Sequence, residues 1–161
     1  MNRFHLAGGI AAGVLVVGIG SAEEAAKVEY PEGYRSWFHV KSMVILPGHE
    51  LEDPFAGIHH IYANDQALEG LESGSYADGA VFVFDLLNAE KGGNALQEGE
   101  RKLLGVMAKD AERFEATGGW GFEGFAGDST SERLVEDGGQ SCFACHQARR
   151  DADYVFTELR D

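Results

Sequence analysis

The chain is poor in the residues that commonly brace or specialise a small protein. Of its 161 residues only two are cysteine, Cys142 and Cys145, three are proline and three are methionine, the last of them Met107. Two thiols three positions apart make no disulfide framework, and a bridge between them would close too short a loop to constrain the unfolded chain much. Basic residues are scarce too, 13 against 27 acidic ones, for a formal net charge of -14. So acidic a surface repels nucleic acid and anionic lipid. It suits a basic redox partner, and equally a plain solvated face. There is no internal repeat, and the four long amphipathic stretches of a helical bundle are missing.

Long apolar runs are limited to one, Leu6 to Gly20, preceded by Arg3 and His5 and followed by Gly20-Ser21-Ala22 and Glu23-Glu24. That is the pattern of a secretory signal peptide cut after Ala22, and it is short and Gly-rich for a membrane span. The chain then divides into residues 1–22, signal peptide, and 23–161, one mature domain with one core, exported to the periplasm and not held in a membrane.

Within the mature part the periodicity is mostly of strands. Tyr30-Pro31-Glu32-Gly33-Tyr34 is turn chemistry. Ser36 to Leu46 alternates Phe38, Val40, Val44 and Leu46 with Trp37, His39, Lys41 and Met43, and Pro47-Gly48 stops it. Gly57 to Ala63 is a second strand, with His59 and Ile61 on the face opposite Ile58, His60 and Tyr62. Asn64 caps a short helix from Asp65 to Glu72. After Asp78-Gly79, the run Ala80 to Leu87 is apolar on both faces and predicts a central, buried strand. Asn88 to Gly99 is Gly-rich and reads as an exposed loop. Lys102 to Ala108 is a strand, and Asp110 to Thr117 a helical turn closed by Gly118-Gly119. Trp120 to Phe125 alternates glycine with large side chains, as a strand does where something flat meets the backbone. Ser129 and Glu132 form a capping box for a helix through Val135, and a C-terminal helix follows Gly138-Gly139. The sum is an α+β domain, mainly antiparallel sheet with short helices.

That last helix carries Cys142-Phe143-Ala144-Cys145-His146. Two thiols at this spacing can each add to one vinyl group along a porphyrin edge, and the adjoining imidazole then becomes an axial iron ligand. Cys142 and Cys145 are thus candidate thioether positions and His146 the candidate proximal ligand of one covalently attached haem c. A thioredoxin-like pair would open a helix after a strand early in a βαβ unit and needs no histidine. Zinc would need two more ligands nearby, and His59 and His60 are far upstream. Export agrees with the haem reading, since bacterial c-type attachment is completed outside the cytoplasm.

Only residues 147–161 follow His146 and none is methionine, unlike the small electron-transfer cytochromes, whose sixth ligand is a downstream Met. Several stretches together resemble the cytochrome P460 family over almost all of the mature chain. They are Tyr34-Arg35-Ser36-Trp37, Pro54-Phe55-Ala56-Gly57-Ile58, Ile61-Tyr62, Gly74 to Leu87, Lys109-Asp110 with Arg113-Phe114, Gly119-Trp120-Gly121-Phe122, Cys142 to His146, and Val155-Phe156-Thr157. The resemblance implies a β-rich fold, haem c ligated by the motif histidine, and often a homodimer. In the family's hydroxylamine-oxidising enzymes a lysine on the strand after the Asp-Gly turn bonds to the haem edge; here that position is Phe84, and no lysine occurs between Lys41 and Lys91. Chains with phenylalanine there resemble the cytochrome c′-β branch, in which a second phenylalanine, matching Phe55, completes an apolar distal cap.

The reading that follows is a five-coordinate haem binding NO and CO, as carrier, scavenger or sensor and more a binding protein than an enzyme. Two alternatives stay open: a P460-type enzyme oxidising hydroxylamine or NO, and a low-spin electron-transfer cytochrome. The latter requires His59 or His60, or less readily Met107, on the iron. Phe82 and Phe84 share a strand face, so ordinary core packing also accounts for Phe84, and a solvated or snorkelling side chain accounts for Lys41. Arg149 and Arg150, three and four positions after His146, are candidate partners of a haem propionate, and equally solvated charges at a helix end. His146 should give its Nδ1–H to a carbonyl or carboxylate.

Overall fold

A computed structural model describes residues 26–160; the expected signal peptide lies outside them. Five antiparallel strands form one sheet in chain order: β1 (Phe38–Ile45), β2 (Gly57–Ala63), β3 (Val81–Gly92), β4 (Ala95–Lys109) and β5 (Trp120–Ala126). Three short helices accompany them, α1 (Glu52–Phe55), α2 (Asp65–Ser73) and α3 (Gln140–His146). The α+β architecture expected from the sequence is the one adopted. The most β-prone run occupies the middle of the sheet, where branched and aromatic side chains are covered on both faces. Asn64 caps α2 as expected: its Oδ1 accepts from Ala67 N–H at 2.9 Å and from Val81 N–H at 3.0 Å, and its Nδ2 donates to Gly79 O at 2.8 Å. One side chain thus ties the helix start to the turn that begins β3.

Paired residues share a face, so the register sorts the side chains. On one face run three successive rungs: Ala63–Phe82–Met107–Phe122, then Lys41–Ile61–Phe84–Gly105–Gly124, then Met43–His59–Leu86–Leu103–Ala126. Ala67 and Val155 close over the first rung and make one core with Trp120. The opposite face carries Val83, Leu104, Val106 and Phe125, which pack with Val28, Tyr34 and Phe114 into a second core.

The structure corrects four local expectations. In β1 the register shifts between His39 and Lys41, which breaks the simple alternation: Val40 and Ile45 are buried while Phe38, Val44 and Leu46 are exposed. Asn88 to Gly99 is no loop; β3 and β4 continue pairing through Ala89–Glu98 to Gly92–Ala95 as a hairpin projecting past the sheet. Its polar, Gly-containing composition is that of a ribbon wet on both faces. The expected helix from Ser129 through Val135 does not form. The Ser129 Oγ does accept from Glu132 N–H at 2.9 Å, but Arg133 then bridges to Phe125 and Leu134 N–H bonds Gly124 O, because the free edge of β5 offers the backbone better partners than an isolated helical turn. The flat group over Gly121 belongs to the chain itself: a Cβ there would lie 2.4 Å from the Phe114 ring.

The second core includes one charge. Asp85, 1% exposed on the middle strand, accepts from Tyr34 OH at 2.6 Å and from Arg101 Nε at 2.6 Å, with Arg35 at 3.2 Å. Arg101 also reaches Asp128 and donates to the Tyr34 oxygen at 2.9 Å. Burial, with Asp85 accepting the phenol proton, pushes Tyr34 up to about 12. The network joins the 34–36 turn, β3 and β4, and it is satisfied only as a unit. Asp85→Ala should therefore cost about 3–5 kcal/mol, the penalty for stranding a buried guanidinium. Denaturant unfolding checks this, and an undiminished midpoint would refute it.

Candidate functional site

The Cys142–His146 segment is helical, as its spacing requires. Gly139, left-handed at φ 86, opens α3, and the exposed Asp137 carboxylate accepts from Gly139 N–H at 3.0 Å and Ser141 N–H at 2.8 Å. Phe143 anchors the helix between Phe122 and Tyr154, with ring centroids at 6.4 and 5.0 Å. Cys145 is exposed and Cys142 half-buried, and the two are not joined in a disulfide; desolvation first, then the nearby Asp137, raises the Cys142 thiol above its usual range. A helix brings residues i and i+3 to one face, so both sulfurs address the same neighbour.

His146 packs against the Phe122 ring at 4.9 Å and meets Phe156 edge-on at 5.1 Å. Its Nδ1 lies 2.7 Å from Tyr154 O, which places the ring proton on Nδ1 and leaves Nε2 with a lone pair. Among the described residues nothing bonds Nε2. Burial lowers the imidazole's pKa, with the carbonyl opposing, so the ring is held neutral, the form that ligates a metal. The carbonyl is itself fixed. Asp153 and Tyr154 both adopt left-handed backbone, at φ 48 and 66, a conformation side chains resist. Tyr154 N–H bonds Arg149 O at 2.7 Å, and Asp153 is gripped by Lys109 Nζ at 2.8 and 2.9 Å. Lys109 also lies over the Trp120 ring at 4.9 Å.

From Phe122 the same sheet face continues to the second rung, where Gly105 and Gly124 present no side chain beside Phe84. Strand spacing and rise put the Cα atoms of Phe122 and Phe84 about 12 Å apart. A Cβ on Gly124 would come within 3.3 Å of Leu134, and one on Gly105 within 3.4 Å of Phe84. At the far end Phe84 meets Phe55 edge-on, ring centroids 5.7 Å apart at 84°. Phe55 ends α1, and Lys102 holds it there by donating to Pro54 O and Ala56 O, each at 2.8 Å. Leu134 and Phe156, each 48% exposed, border the strip. Paired thiols, an imidazole with one nitrogen fixed and the other open, and a flat apolar strip between His146 and the two phenylalanines fit a haem.

The other sequence candidates divide. His60 is on the opposite face, with Nδ1 2.6 Å from Ser42 Oγ and Nε2 2.6 Å from Glu98. Met107 is buried in the first core. Lys41 shares the rung of Ile61 and Phe84 and is half-buried. Arg149 is committed to Glu158 at 2.7 Å, and Arg150 is exposed. His59 is on the Phe84 face: its ring lies 4.6 Å from the Phe84 ring. Lys102 and Lys109 were not among the sequence candidates, because a lysine that binds a distant loop's carbonyls or carboxylate leaves no periodic signature.

Two outcomes are expected. Lys109→Met should destabilise the protein by about 1–2 kcal/mol and speed amide exchange at Tyr154, whose backbone conformation Lys109 helps impose; unchanged exchange would refute the link. Burial, then the nearby His60 and Lys41, depresses His59 to about 4. The folded state thus takes up its proton later than the unfolded chain, so stability is full above about 6.5 and falls as pH drops towards 4. His59→Phe should remove up to about 3 kcal/mol of that acid sensitivity, measured by unfolding at pH 7 and pH 4.

No curated protein matches this chain. The cytochrome P460 family model matches residues 31–157, which take in the whole sheet, Phe55, Phe84 and the Cys142–His146 helix. The chain therefore belongs to the cytochrome P460 family, and its cofactor is a haem.

Proposed function

We propose that this chain is a c-type member of the cytochrome c′-β branch that binds small uncharged diatomics, NO and CO, with Cys142 and Cys145 as the thioether residues and His146 as the proximal ligand. A haem held there through the His146 imidazole would supply an iron able to take a small ligand. Everything else comes from the chain. The Tyr154 carbonyl holds His146 in the tautomer that presents Nε2 and makes it a more basic ligand. Phe55 and Phe84 present hydrocarbon, which excludes water and favours ligands that carry little charge. The single observation that carries the reading is the Phe55–Phe84 contact on the sheet face bordered by His146. Arg149 pairs with Glu158, which leaves the exposed Arg150 as the candidate partner of a propionate.

Export to the periplasm and a homodimer belong to the same proposal; the first rests on the Met1–Ala22 pattern and the second on the family resemblance. A basic redox partner fits the net charge of -14. The hydroxylamine-oxidising reading lacks support at the cap, where phenylalanine occupies the position of the cross-linking lysine, although Lys41 shares that rung.

An absorption spectrum of the reduced protein with and without CO tests the reading. A high-spin ferrous spectrum that shifts sharply with CO is expected, along with a denatured mass that includes one haem and loses it in Cys142→Ala/Cys145→Ala. A Soret band far to the red would instead indicate a lysine cross-link, and a low-spin spectrum indifferent to CO an electron-transfer haem; either overturns the proposal.

A further inference from the structure

We infer that His59 is a third member of the distal wall and offers its ring N–H to the ligand, so that the site also takes diatomics that build up negative charge, O₂ foremost. The inference rests on the gas-binding reading above and deepens it.

His59 is 4% exposed, yet neither ring nitrogen finds a hydrogen-bond partner among the described residues, and Nδ1 is sealed from solvent as well. A buried polar atom left unpaired costs about 1–3 kcal/mol, so a leucine at this rung would serve the fold better. The ring is not in the Phe82–Trp120 core. It lies against Phe84, tilted by 33°, on the rung of Leu86, and Phe84 in turn meets Phe55. The three rings form one continuous wall, and only His59 among them carries a donor.

The tautomer follows from the surroundings. A buried N–H without an acceptor is rarer than a buried lone pair without a donor, so the sealed Nδ1 is left with the lone pair and the proton sits on Nε2. That nitrogen is the one not sealed. Lys41, on the neighbouring rung, carries only donors, and His60 is on the opposite face with both nitrogens engaged by Ser42 and Glu98, so neither supplies an acceptor. The ring thus remains a neutral donor at ordinary pH. A neutral N–H does little for CO or NO but stabilises a ligand whose outer atom becomes negative. Phe55 and Phe84 alone would reject such ligands; His59 relaxes that selectivity.

The test uses the haem-loaded protein and three variants, His59→Phe, His59→Leu and His60→Gln, the last on the opposite sheet face as a control. Infrared spectra of the CO complex read the donor directly, since a hydrogen bond to the ligand lowers the CO stretching frequency. Both His59 variants should raise it and should release O₂ at least tenfold faster, with equal or greater stability to denaturant; His60→Gln should match the wild type. An unmoved CO band and O₂ release rate in both His59 variants would overturn the donor role while leaving gas binding intact. If the wild type is low-spin and takes up no CO, the gas-binding reading fails; a change to high-spin in His59→Phe would then identify His59 as an iron ligand and overturn the donor role too.

Discussion

A slip of one residue in β3 would exchange Phe84 for Asp85, and almost every feature of the site depends on that not happening. The strand alternates strictly, Phe82, Phe84 and Leu86 to one face and Val83 and Asp85 to the other. What fixes the phase is electrostatic as much as apolar. Asp85 is tolerable only where Tyr34 and Arg101 meet it, and those groups approach from one side of the sheet alone. A slipped strand would bury a carboxylate against hydrocarbon, a cost of several kcal/mol. The ion-pair network on one face thus holds the register that keeps the opposite face apolar.

The two ends of the apolar strip are then fixed by lysines in similar ways. Lys102 reaches across from β4 to the carbonyls on either side of Phe55; Lys109, seven residues on, reaches to Asp153 beside the carbonyl that orients His146. Both are partly buried and tie down irregular segments that have no ladder of their own, Lys102 through backbone carbonyls and Lys109 through the Asp153 carboxylate. Phe55 and His146 sit on short helices flanked by irregular backbone, and the long β4 strand supplies the rigidity such backbone lacks.

Much of this was legible beforehand. β2 follows from alternation, the start of β3 from a β-prone run apolar on both faces, and α2 from one asparagine cap. What escaped was settled by distant partners. The Asn88–Gly99 composition looks like a loop because a projecting ribbon has no buried face to enforce alternation. Ser129 kept its local hydrogen bond, yet the chain after it followed the open edge of β5, a partner that local pattern does not reveal. The β1 bulge is of the same kind, since a single extra residue in the ladder moves Val44 outward and Ile45 inward without altering composition.

The histidines make the point most sharply, because one side chain takes on different chemistry according to what its two nitrogens find. His60, between Ser42 and Glu98, has both nitrogens engaged at the surface and nothing left to offer. His146 has one engaged by a carbonyl, which fixes the tautomer and frees the other as a basic lone pair. His59, adjacent to His60 in the chain but pointing the other way across the pleat, has neither engaged. One fixed nitrogen leaves His146 with a lone pair to present, whereas His59 has no nitrogen fixed and its Nδ1 is sealed from solvent. The pleat alone separates a spent histidine from an available one.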